Sequence, residues 1–191
     1  IKKFKLIILI GENMKLKNKL LNVMILSIVT LVFTYIFLDL KNADINVPFY
    51  LDGDSLFMSY VVKTLGNFGW WFKNPNVGAP FGGDLYDFTA FHFDAATIFI
   101  IKILIFFTGN WIRGLNMFII LLFPITSVIS YFVMKEFKVS NFYSILGSVT
   151  YTFLPYRFLR LATGHLFIAV YYTIPLAILI LYWLYNEIGR A

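Results

Sequence analysis

The chain has 191 residues, 60% of them hydrophobic and 14% charged, and its mean hydropathy is +0.78. A soluble domain with one buried core does not carry that apolar load, so composition excludes an ordinary soluble enzyme and makes the bilayer the expected solvent. The absence of cysteine removes disulfides, thiolate nucleophiles and Cys-ligated metals, and the net charge of +6 is not gathered into a basic stripe with a nucleic-acid motif, so no nucleic-acid partner is expected.

Residues 1–19 read as a basic cytoplasmic segment, with Lys15, Lys17 and Lys19 directly before an apolar run. Met14 is a candidate start, because Gly11-Glu12-Asn13-Met14 back-translates to a purine-rich ribosome-binding sequence and a start codon, which would make 1–13 translated upstream sequence. Residues 20–38 are uncharged and, at about 1.5 Å per residue, reach roughly the 30 Å of a hydrocarbon core. No small-residue cleavage pattern follows, so this first span is expected to be an uncleaved signal anchor.

Residues 39–114 are predicted to form a long extracytoplasmic loop, rich in Asp, Gly, Pro and aromatic residues and punctuated by Asp52-Gly53, Asn74-Pro75 and Gly82-Gly83. Within it, 95–108 is apolar but short and has Lys102 near its middle, which predicts an interfacial helix rather than a crossing. Spans are expected over 115–134, which contains Pro124, over 139–156, and over 166–185, which contains Pro175; a second polar loop, 157–165, lies between the last two. The expected fold class is thus an all-α polytopic membrane protein of about four spans, at the cell membrane with its N-terminus cytoplasmic.

A five-span version that counts 95–108 as a crossing remains open. Four spans place Lys2, Lys3, Lys5, Lys15, Lys17, Lys19, Lys135, Lys138 and Arg190 inside, and five replace the last three by Arg113, Arg157 and Arg160. Both versions give the same positive-inside count, so only length and Lys102 favour four.

None of the four spans contains a charged side chain, which argues against a proton or ion pathway through them. The charges that can do chemistry stand in the two loops, Asp52 and Asp54 in one and Arg157, Arg160 and His165 in the other. A carboxylate can deprotonate an acceptor hydroxyl while arginine holds a phosphate leaving group, and an oxocarbenium-like glycosyl centre needs that pairing of groups.

The stretches Asp52-Gly53-Asp54-Ser55-Leu56, Asn76 through Phe88, and Pro155-Tyr156-Arg157 through Gly164-His165 with Pro175-Leu176 together resemble the GT-C membrane glycosyltransferases, in particular their bacterial YfhO-like members. The resemblance covers most of the chain from Leu20 onward. It implies that Asp54 first, and Asp52 second, serves as catalytic base or metal ligand, with a polyprenyl-phosphate-linked sugar as donor. Arg157, Arg160, His165, Asp84 and Asp87 are the expected substrate-binding residues. No cofactor is fixed; a divalent metal is left open, with Asp54 as its ligand. Expected partners are membrane lipids, the polyprenyl-phosphate sugar, and a glycan or lipid acceptor at the cell surface. The family carries more spans than this chain, so the chain is expected to be the N-terminal portion of a longer protein.

Plainer readings stand beside these. Asp-Gly is a turn dipeptide in its own right, and Asp84 and Asp87 fit helix capping or loop bracing as well as substrate contact. Trp70 and Trp71 read better as interfacial anchors than as a sugar platform. Arg157 and Arg160, one helical turn apart, would also meet lipid head groups, and His165 and His92 read as hydrogen-bonded interface residues. At the level of function, the alternatives are a non-enzymatic component that translocates a lipid-linked sugar or polysaccharide, and an inactive truncated fragment.

Overall fold

The structure, a computed structural model, describes residues 2–67, 75, 79–83 and 94–188, without the side chains of 2–18. The described residues form eight helices: α1 (Lys2–Phe37), α2 (Asp54–Asn67), α3 (Ala95–Thr108), α4 (Trp111–Glu136), α5 (Asn141–Thr152), α6 (Pro155–Ala162), α7 (Leu166–Ala169) and α8 (Thr173–Ile188). Asp84, Asp87, Trp70, Trp71 and His92 lie outside the described residues.

Two helical stretches are long and apolar enough to cross a membrane, Lys19–Phe37 of α1 and Trp111–Glu136, the whole of α4. They coincide with the first two predicted spans. They run antiparallel: Asn22 donates to the Tyr131 hydroxyl at 3.0 Å, and further along Ser127 meets Thr30. Leu20, Leu21, Met24, Ile25, Ile28, Val32 and Ile36 of α1 are all exposed, as are Ile178, Ile180, Leu181, Trp183 and Leu184 of α8. An apolar surface this continuous is unfavourable in water and needs a partner or a lipid phase around it.

α3 and α4 form a tight helical hairpin whose ends are set by local chemistry. Asp94 caps α3 by accepting from the Thr97 amide and hydroxyl at 2.9 and 2.6 Å, and Gly109, left-handed at φ 64°, closes it by donating to the Ile105 carbonyl. Asn110 then caps α4 by accepting from Ile112 N–H. Gly114 lets the two helices meet, because a Cβ there would press on Ile105 at 2.6 to 3.0 Å. At 14 residues α3 is about 21 Å long, well short of a bilayer core.

The regions expected to be the third and fourth spans contain breaks. α5 has 12 residues, roughly 18 Å, and stops because Leu154 precedes Pro155, which forces it to an extended ψ of 136°. Pro155 then occupies the first turn of α6, where its missing N–H has no helical acceptor to lose. Residues 166–185 divide into α7 and α8, and Pro175 falls in the first turn of α8 rather than inside a continuous helix. Pro124, by contrast, does lie inside α4.

The main core lies around the N-terminal half of α4. Leu115, Phe118, Ile119, Leu122 and Phe123 pack with Met58, Val62 and Leu65 of α2, Ile98 and Ile101 of α3, Leu161 of α6, and Leu166 and Ala169 of α7. This cluster brings α2 and the α6–α7 joint together, and so positions the polar residues discussed next.

A candidate site where two distant loops meet

The chain enters α2 through Asp52-Gly53-Asp54. Gly53 is left-handed at φ 56°, and the Asp52 carbonyl accepts from both the amide and the hydroxyl of Ser55, at 3.2 and 2.6 Å. The turn reading of this tripeptide therefore holds, and the turn leaves Asp54 in the first turn of α2, where free helix N–H groups favour a negative side chain.

The partner loop is built by the end of α6. Gly164, at φ 77°, donates to the Leu161 carbonyl, and His165 N–H reaches back to the Arg160 carbonyl at 2.8 Å. That pair of bonds is a Schellman closure, which requires a left-handed residue at Gly164. It turns His165 out of the helix and toward α2. The two loops touch through backbone: a Cβ on Gly164 would overlap the Asp52 carbonyl oxygen, and one on Gly53 would lie 3.0 Å from the Thr163 carbonyl oxygen.

Three expected site residues are thereby brought together. His165 Nε2 stands 3.5 Å from Asp54 Oδ2, with side chains 34% and 39% exposed, so the pair is reachable from solvent. On the other ring edge, Nδ1 lies 3.3 Å from Arg160 Nη1 and 3.3 Å from the Thr163 hydroxyl. A neutral imidazole accepting from Arg160 at Nδ1 carries its proton on Nε2, facing Asp54. The Arg160 guanidinium rests on the Tyr156 ring at 4.9 Å, and its buried Nε–H has no partner among the described residues.

Beside this cluster lies an open cavity of about 310 Å³ between Tyr151, Leu154, Tyr156, Phe167, Tyr171 and Ile174. Its wall is mostly apolar, and it shares Tyr156 with Arg160. The arrangement thus sets a carboxylate, an imidazole and a guanidinium together, with Tyr156 joining the guanidinium to the wall of an apolar cleft.

Arg157 does not join the cluster. It is fully buried between Phe123 and Tyr171, 4.9 and 4.1 Å from their ring centres, and donates to Thr126 Oγ1, the Thr152 carbonyl and the Ala169 carbonyl at 2.8, 3.1 and 3.3 Å. Asp52 contributes its carbonyl to the loop contact. No group of three His, Cys, Asp or Glu able to hold a metal ion occurs among the described residues.

One contributor was not anticipated from sequence. Asn116, fully buried inside the apolar α4, accepts from Phe49 N–H and donates to the carbonyls of Ile45 and Val47, and Arg113 donates to Asn46, so the segment before Asp52 is tied down along α4. The signal was present, since an amide inside a predicted span must find a partner.

Fold and site together define a protein whose described residues fold as helices, with two helices able by length and composition to cross a membrane and an Asp–His–Arg cluster built from two loops. Compared with protein-family models, curated proteins and solved structures, the chain matches none.

Proposed function

We propose that the chain acts as a polytopic membrane glycosyltransferase, GT-C-like, that moves a sugar from a polyprenyl-phosphate carrier to an extracytoplasmic glycan or lipid acceptor. The observation that carries this reading is the meeting of Asp54, His165 and Arg160, the first separated from the other two by more than a hundred residues, beside an apolar cleft. In the reaction, the acceptor oxygen attacks the anomeric carbon as its proton passes to the Asp54 carboxylate. The bond from the anomeric carbon to the phosphate oxygen breaks, and the phosphate leaves with the electron pair toward Arg160 and His165. The prenyl chain occupies the cleft by Tyr156.

The topology that goes with it has four crossings, with α1 leaving the cytoplasm, α4 returning, the α5 region leaving and α8 returning. The contacts of Asp52 with Gly164 and of Gly53 with Thr163 support it, because touching segments share one side of a membrane. α3, packed along α4 and carrying Lys102 near its middle, is read as part of the outer layer.

The test is labelling of single cysteines at Leu56, Ala162 and Glu136, three exposed positions in a chain with no native cysteine, by a membrane-impermeant thiol reagent in intact cells. Labelling at 56 and 162 but not 136 is expected. Labelling at 56 and 136 but not 162 would mean five crossings and remove the composite site. Transfer is then assayed with polyprenyl-phosphate sugars in proteoliposomes; binding of such a sugar without turnover would favour the translocation alternative.

A further inference from the structure

We infer that Arg157 is a positioning residue, which fixes the Asp54–His165–Arg160 cluster by fastening the ends of the interrupted helices on either side of α6. The inference rests on reading that cluster as the site. Its starting point is where the three acceptors of Arg157 lie. The Thr152 carbonyl is in the last residue of α5 and the Ala169 carbonyl in the last residue of α7, and both belong to the final turns whose carbonyls have no further helical N–H to accept from. The third acceptor, the Thr126 hydroxyl, sits on α4 just past Pro124. One guanidinium therefore joins α4, α5, α6 and α7 at the level where the chain breaks twice.

The breaks are what make the site. The first frees α6 to turn, and the end of α6 carries Arg160 and the Gly164 closure that presents His165. A lysine could not replace this clasp, because an ammonium on a single stem cannot address three divergent acceptors while lying flat between Phe123 and Tyr171. Arg157 is thus three residues from Arg160 yet does different work: full burial keeps it from any ligand, whereas Arg160 lies partly open with an unpartnered Nε.

The experiment measures the cluster's geometry independently of turnover. Spin labels at Leu56 and Ala162, in full-length protein in detergent, report the approach of the two loops by dipolar broadening; labels at Ile25 and Phe132 report the α1–α4 pair as a control, all four positions being exposed. With Arg157→Met the broadening between 56 and 162 should be lost while that between 25 and 132 stays. Arg157→Lys should lose it in part, and Thr126→Val, which keeps the arginine but removes one acceptor, should weaken it least. Unchanged broadening between 56 and 162 in the folded variants would overturn the inference, as would equal loss at both pairs, which would mean general destabilisation. If Arg157→Met does not fold, the lysine and valine variants decide. Intact positioning without any sugar transfer would instead count against the proposed function alone.

Discussion

Gly164 lies so close beneath Asp52 that a Cβ would overlap the Asp52 carbonyl oxygen, and this backbone contact seats the two loops of the candidate site on one another. Alanine at 164 must therefore relieve an overlap with backbone as well as adopt a φ of 77°. The conformational part costs about 1–2 kcal/mol, and displacement of the loops adds to it. Gly109 supplies the control, at φ 64° with nothing within 4 Å of the point an alanine Cβ would occupy. Thermal unfolding in detergent should show a markedly larger loss for Gly164→Ala than for Gly109→Ala; equal losses would mean that the loop contact contributes nothing.

Asn116 secures the segment leading to Asp52 through three hydrogen bonds. Asn116→Leu keeps the side-chain volume but leaves Phe49 N–H and the carbonyls of Ile45 and Val47 without this partner, at a cost on the order of 2–3 kcal/mol. The expected outcome is faster tryptic cleavage after the exposed Lys41, with α1 and α4 still intact. A cleavage rate equal to that of the parent protein would show that the segment is held by other means.

Asp54 and Asp52 should separate in function although they are two residues apart. Asp54 carries the carboxylate next to His165, whereas Asp52 takes part through its carbonyl, which Asp52→Asn retains. Asp54→Asn should lower transfer by about 10²–10⁴ without affecting membrane insertion, while Asp52→Asn stays close to the parent rate. Full activity in Asp54→Asn would remove this residue from the mechanism.

The first loop contains a pH-sensitive turn. Asp44 accepts from the amide and side-chain nitrogen of Asn46, both at 2.8 Å, and these bonds, the backbone one first, hold its carboxyl below the ordinary 3.8. A depressed folded pKa means that the turn is stabilised above the unfolded value and that this stabilisation is lost as pH falls through the folded one. Protection of the Asn46 amide against hydrogen exchange, corrected for the intrinsic rate, should thus fall below about pH 4 in the parent protein and show no such step in Asp44→Asn.

How far the site is readable from sequence differs from residue to residue. Asp54, Arg160 and His165 are identifiable by chemistry, because carboxylate, imidazole and guanidinium near an apolar run have few roles. Arg157 looks equivalent to Arg160 in sequence, since both stand in one polar patch a helical turn apart. Their difference comes from which face of α6 meets α4, and that is a property of packing. Asn116 escapes a hydropathy reading because a single amide in a long apolar run does not alter the average.

Sequence alone determined the helical class and the two long apolar helices, because an apolar run is a local property; the breaks inside 139–156 and 166–185 were not read from it, although Pro155, Gly109 and Gly164 act on their helices through nearest neighbours. Only the tertiary structure decided that α5 and α7 end against Arg157, that α3 lies along α4, and that Asp54 faces His165. Those pairings join segments far apart in the chain, and they depend on burial in a shared core that no local pattern encodes.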